Sequence, residues 1–83
     1  MSDEELIEFF TSVGYREVRK LPDGNFVGIV PLMFTTGLCI DLNSCGHNKR
    51  FCFKKEADAL QALANLQSVD DEPTGWIARR PEL

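Results

Sequence analysis

The fold is decided by Phe34-Thr35-Thr36-Gly37-Leu38-Cys39-Ile40-Asp41-Leu42, Asn43-Ser44-Cys45-Gly46-His47-Asn48 and Lys49-Arg50-Phe51-Cys52-Phe53-Lys54, read as one continuous run. Phe34, Thr36, Leu38, Ile40 and Leu42 alternate with Met33, Thr35, Gly37, Cys39 and Asp41, the period-two pattern of a strand with two distinct faces. Lys49 to Lys54 repeats the pattern, with Phe51 and Phe53 on one side. The six residues between are turn formers, so the run predicts an antiparallel hairpin. With Cys45 and Gly46 at the centre of the turn, Ile40 faces Phe51 and Leu38 faces Phe53 on the core side. On the other side Asp41 faces Arg50 and Cys39 faces Cys52. A slip of one residue would set the two phenylalanines against the wrong face.

Upstream, Asn25 to Val30 is apolar and β-branched and predicts another strand, which Pro31 ends or bulges. Leu21-Pro22-Asp23-Gly24 is a turn, and Tyr15 to Leu21 is the strand that enters it. A helix over 3–13 opens the chain. Ser2 and Glu5 have the spacing of a capping box, and Asp3, Glu4 and Glu5 suit the positive end of the helix dipole. Leu6, Phe9, Phe10 and Val13 form one apolar face, and Gly14 ends the helix.

Downstream, a second helix over 56–67 carries Ala57, Leu60, Leu63 and Ala64 as its stripe, widened by Leu66. The tail over 69–83 reads as extended. It holds Asp70-Asp71-Glu72, then Pro73-Thr74-Gly75, then Trp76-Ile77, two large apolar residues expected to fold back as an anchor. The sum is an α+β class: a small two-layer domain, an antiparallel meander of three to four strands (15–21, 25–30, 34–42, 49–54), with both helices packed on one face.

The chain has 83 residues, 43% hydrophobic and 27% charged, which fits one folded domain and excludes a disordered chain. Nine basic against 13 acidic residues give a net charge of −4, a poor start for nonspecific nucleic-acid binding. The acidic start lacks the basic residues of a secretory signal. The longest apolar run, Phe26 to Phe34, has nine residues and includes Gly28 and Pro31, too short to span a membrane. A cytoplasmic address is therefore expected, in which three cysteines are free thiols.

Cys39, Cys45, His47 and Cys52 are the residue types of a zinc site, but no Cys-x-x-Cys pair is present. An extended chain from Cys39 to Cys45 spans about 20 Å, far more than converging ligands allow. No metal or cofactor is expected. Cys45 and His47 offer a thiol and a base for a redox or hydrolytic enzyme, yet a hairpin tip lacks the shielded, electropositive setting a reactive thiolate needs. No catalytic residue is assigned. The bases fall into Arg16, Arg19 and Lys20, then Lys49, Arg50, Lys54 and Lys55, then Arg79 and Arg80. Gathered on an open sheet face they would make a weak nucleic-acid surface, without the interleaved aromatics of a stacking platform.

Leu32, Met33 and Trp76 fit the single core least well. With Arg79 and Arg80 at the rim they are the candidate partner-binding residues. The expected function is a small non-enzymatic module that binds another protein. An open sheet face or edge also leaves room for a homodimer.

Leu21-Pro22-Asp23-Gly24, Phe34-Thr35-Thr36-Gly37-Leu38, Arg50-Phe51-Cys52-Phe53, Ala57-Asp58-Ala59-Leu60 and Pro73-Thr74-Gly75-Trp76-Ile77 occur in that order. Together they resemble a group of short uncharacterised bacterial and phage-borne proteins, over about Tyr15 to Arg80. The chain departs from that pattern at Leu66, where the group often has Trp followed by an Asp-Gly turn; here Gln67-Ser68 follow. The resemblance implies a bacterial or phage setting and no catalytic residue.

Replacing Ser2 by Ala removes one side of the predicted capping box and should cost about 1 kcal/mol. Thermal melts should show a lower midpoint, and an unmoved midpoint would refute the cap.

Overall fold

The structure, a computed structural model, describes residues 2–76 and 78–81, with side chains through residue 76. The order is α1 (Asp3–Ser12), β1 (Arg16–Lys20), β2 (Phe26–Pro31), β3 (Thr36–Ile40), β4 (Lys49–Phe53), α2 (Glu56–Asn65) and β5 (Ala78–Pro81). The strands form a single antiparallel sheet in sequence order. The α+β class, the antiparallel meander and a helix at each end match the reading of the sequence. Among the described residues no helix is long and apolar enough to cross a membrane.

α1 starts where the sequence says. The Ser2 hydroxyl accepts the Glu5 N–H at 3.2 Å, and the Glu5 carboxylate accepts the Ser2 N–H at 3.3 Å. Its last turn passes into Gly14 at φ +116°, a value that costs glycine nothing. β1 has a bulge: Arg16 pairs with Ile29 but Arg19 with Val27, and Glu17 sits between at φ 52°.

The sheet is covered on both faces, which corrects the two-layer expectation. Val27, Ile29, Leu38, Ile40, Phe51 and Phe53 point to α2 and pack with Ala59, Ala62, Leu63 and Leu66. Their alternates point the other way. Phe26 and Cys39 join Phe10 of α1, Tyr15 and Leu42 in a second cluster. The physical reason lies in β3, all of whose residues are buried. A strand buried on both sides needs an apolar cover on each, and one helix per face supplies it.

The β3–β4 register also differs from the expected one. Leu38 pairs with Phe51, Thr36 with Phe53, Gly37 with Cys52 and Cys39 with Arg50. The face of Phe51 and Phe53 is as expected, but the pairing is displaced by two residues. The connection is longer than a two-residue turn. Asp41 leaves the strand at φ 65°, Asn43 and Gly46 close their own bridge, and Asn48 N–H returns to the Ile40 carbonyl at 3.1 Å. Asp41 therefore bonds the Asn48 amide instead of facing Arg50. Phe34 and Leu42, expected within the strand, lie outside it.

Two further corrections concern the C-terminal part. The buried stripe of α2 is Ala59, Ala62 and Leu63, continued by Leu66, while Ala57 and Ala64 are exposed. Alanines on two faces satisfy the same spacing, and the sheet selects the face that carries Leu63 and Leu66. The tail is not wholly extended coil: Ala78–Pro81 adds to the edge of β4, with Cys52 opposite Ala78.

A charge tolerated on one side of α2 should be ruinous on the other. Ala59→Asp buries a carboxylate against the sheet and should cost upwards of about 3 kcal/mol; Ala57→Asp should change stability by less than about 0.5 kcal/mol. Chemical denaturation of both variants checks the face assignment, which fails if the two behave alike.

Candidate functional site

The β2–β3 connection is short. Pro31 pairs with Thr36, and the Leu32 N–H bonds the Thr35 carbonyl at 2.8 Å, leaving Met33 and Phe34 as the two central residues of the turn. Residues there have no neighbouring strand to cover them. Met33 is 88% exposed and Phe34 85%, while Leu32 is half-buried. Alternation with Thr36, Leu38 and Ile40 places Phe34 on the core-facing side of the strand. The signal that places it outside is the adjacency of Met33 and Phe34 between two residues that pair across the hairpin.

Trp76 is half-buried. Its ring lies 5.5 Å from that of Phe51 at 56°, packed against the α2-side cluster. It is the anchor the sequence predicts, and it sits toward the same end of the sheet as the turn, because Thr36 pairs with Phe53 and Gly75 lies beside the Phe53 ring. Arg79 and Arg80 occupy β5 opposite Phe51 and Arg50, and their side chains fall outside the described residues, as does Ile77.

The route of the tail to this position is fixed at Val69. Its N–H donates to the Asp23 carboxylate at 2.8 Å, and its carbonyl accepts from Lys49 Nζ at 2.7 Å. Asp23 also accepts the Asn25 N–H at 2.9 Å. The Asn25 backbone donor first, and the Val69 donor second, hold the Asp23 carboxyl below its ordinary value.

The thiols and the imidazole are held by different contacts. Cys39 and Cys52 are buried thiols not joined in a disulfide, and across the strands they face Arg50 and Gly37 rather than each other. Cys45 is exposed in the 41–48 loop, its N–H bonded to the Asn43 side chain at 2.8 Å. His47 Nδ1 lies 2.9 Å from the Tyr15 hydroxyl, a contact that fastens the loop to the chain just after α1. Among the described residues no three His, Cys, Asp or Glu side chains are grouped as metal ligands.

The basic residues do not share one open face. Arg19 reaches the α2 side, donating to the Leu63 carbonyl at 2.6 Å. Lys20 pairs with Asp3 at 2.9 Å. Arg50 points to the opposite face, where its alkyl chain lies over Gly37 and would stand 2.9 Å from a β-carbon there.

Two of the recesses among the described residues flank the helices. Between α1 and the 41–48 loop runs a groove of about 350 Å³, lined by Leu6, Phe9, Phe10, Phe26 and Leu42, with Asn43 and Ser44 at its mouth. A more polar cleft of about 310 Å³ lies between α2 and the tail, at Asp58, Asn65 and Thr74. Comparison of the chain with protein-family models, curated proteins and solved structures returns no match.

The lowered Asp23 carboxyl has a pH signature. A depressed folded-state value stabilises the protein above the unfolded-state value of about 4, and that contribution fades as pH falls through the folded-state value. The stability difference between wild type and Asp23→Asn should therefore be larger at pH 7 than at about pH 3. A difference that does not change with pH would refute the tie between Asp23 and the tail.

Proposed function

We propose that this chain is a small protein-interaction module, not an enzyme, and that its contact surface is the β2–β3 turn with Leu32, Met33 and Phe34. The observation that carries this reading is the side-by-side exposure of Met33 and Phe34, at 88% and 85%. Single exposed apolar residues are ordinary, but two large adjacent ones at the apex of a rigid hairpin form a knob, and such features mark partner surfaces. Methionine adapts to the shape it meets, and an aromatic ring supplies much contact area for little lost freedom. Trp76 lies toward the same end of the sheet, packed on Phe51 of β4. Arg79 and Arg80 remain the proposed rim.

A cytoplasmic address, in a bacterial or phage setting, belongs to the same proposal. It is supported by three cysteines that form no disulfide, two of them buried in the core.

Capture from a bacterial lysate on immobilised protein, quantified by mass spectrometry, tests the reading. Met33→Ala/Phe34→Ala should keep the far-ultraviolet spectrum and reduce recovery of specific partners about tenfold, the loss typical of removing interface anchors. Equal recovery by wild type and double variant would overturn it.

A further inference from the structure

β5 is held differently from the rest of the sheet. The other edge strand, β1, is backed by α1, and β2, β3 and β4 are backed by α2, whereas β5 meets no element except β4 among the described residues. Its hold is a backbone ladder, and alternation tells which groups make it. The Leu32 N–H bonds the Thr35 carbonyl, so these two form a hydrogen-bonded pair, and every second pair away from them does too. Gly37 and Cys39 are thereby engaged with β2, which turns the backbone groups of Thr36, Leu38 and Ile40 to β4. Phe51 and Phe53 answer on β4, and Arg50 and Cys52 are left for β5, where they meet Arg80 and Ala78. Two such pairs fasten a strand of 4 residues. The net gain of those bonds and the entropy lost in ordering the strand are of similar size, so the ladder alone leaves little margin.

The chain reaches β5 in stages. Val69 is gripped at both of its backbone groups, by the Asp23 carboxylate and by Lys49 Nζ. Beside it the Asp71 carboxylate accepts the Gln67 and Ser68 N–H groups at 2.9 and 3.2 Å, which closes that turn. Past Pro73 the chain passes through Gly75 at φ +88°, a conformation open to glycine at no steric cost. Trp76 follows, with its ring on Phe51. A fixed clamp over 67–71 thus leads through a glycine pivot to a part held by the Trp76 ring and a short ladder.

We propose that Trp76 and β5 form a strap that swings open about Gly75 as one unit while the rest of the sheet stays folded. Opening makes β4 the edge strand. It bares the backbone groups of Arg50 and Cys52, the kind of row with which an extended segment of another chain pairs in strand addition, and it uncovers the side of Phe51 on which Trp76 packs. β1 offers no comparable row, because its bulge breaks the register. β5 itself offers a poor one. The same alternation turns Arg79 and Pro81 outward, and proline has no N–H to give. Closed, the sheet is guarded at both margins; open, it is guarded at one. The strap is independent of the β2–β3 turn as a contact surface, and either can fail without the other.

Native-state hydrogen exchange read by NMR tests this on the full chain. After correction for intrinsic rates, the amides of Arg50 and Cys52, which face β5, should exchange at least about 30-fold faster than those of Phe51 and Phe53, which face β3 from the same strand. Protection equal within about threefold would mean that β5 opens only when the whole sheet does, and would overturn the strap. Ala78→Pro removes the N–H that pairs with Cys52 and holds the strap open. The variant should keep the far-ultraviolet spectrum of the wild type and hold Phe51 and Phe53 protection within about tenfold, while Arg50 and Cys52 lose theirs. Emission of the one tryptophan, Trp76, should move to the red. A variant that unfolds, or whose Phe51 and Phe53 amides lose protection with the others, would make β5 an integral part of the sheet and refute the proposal. Unmoved Trp76 emission would refute the single unit.

Discussion

The structure depends on β3 being buried on both sides. Leu38 and Ile40 point to one face and Cys39 to the other, and none of the three retains measurable exposure. A central strand of this kind cannot be served by one layer of helix. Water kept from both surfaces of the ribbon leaves the backbone no partner except neighbouring strands, so β2 and β4 must pair along its length. The same demand draws the two helices apart, α2 to the larger cluster and α1 to the smaller one around Phe10. The small residues Gly28 and Gly37 lie on the α1 side, where a β-carbon would crowd the Arg16 carbonyl and Val18 at Gly28 and displace the Arg50 stem at Gly37.

The sequence disclosed those parts of the fold that are written locally. Ser2 and Glu5 announce a helix start because the capping contacts run between residues three apart, and the parity of Phe51 and Phe53 follows from alternation alone. What depends on distant partners was less legible. The displacement of β4 by two residues came from Asp41 adopting a left-handed conformation, which makes the loop longer than its turn formers imply. The face of α2 was ambiguous because its alanines fit two stripes, and only the sheet selects between them. β5 was hidden because Ala78-Arg79-Arg80-Pro81 shows no apolar alternation and ends in a residue without an N–H; it is a strand because β4 offers an edge.

The candidate site was legible in part. Leu32 and Met33 stood out because a single core had no use for them, and the turn confirms the exposure of Met33. Phe34 was masked by its agreement with the strand pattern. Trp76 serves the core through its packing on Phe51. The α1 groove could not be read from sequence, since it arises where Phe26 and Leu42, distant from α1 along the chain, are brought beneath Leu6 and Phe9.

The bulge at Glu17 bears on how such a sheet lives among others of its kind. A side chain held at positive φ is locally unfavourable by about 1 kcal/mol, and a helical or plainly extended residue would have avoided it. The return is a boundary strand whose row of donors and acceptors falls out of step halfway along. A foreign ribbon laid alongside could match one half or the other, never both. Growth by endless strand addition, the route to fibrous aggregates, is thereby discouraged at that margin, and encounters between molecules are steered toward side chains instead of backbone.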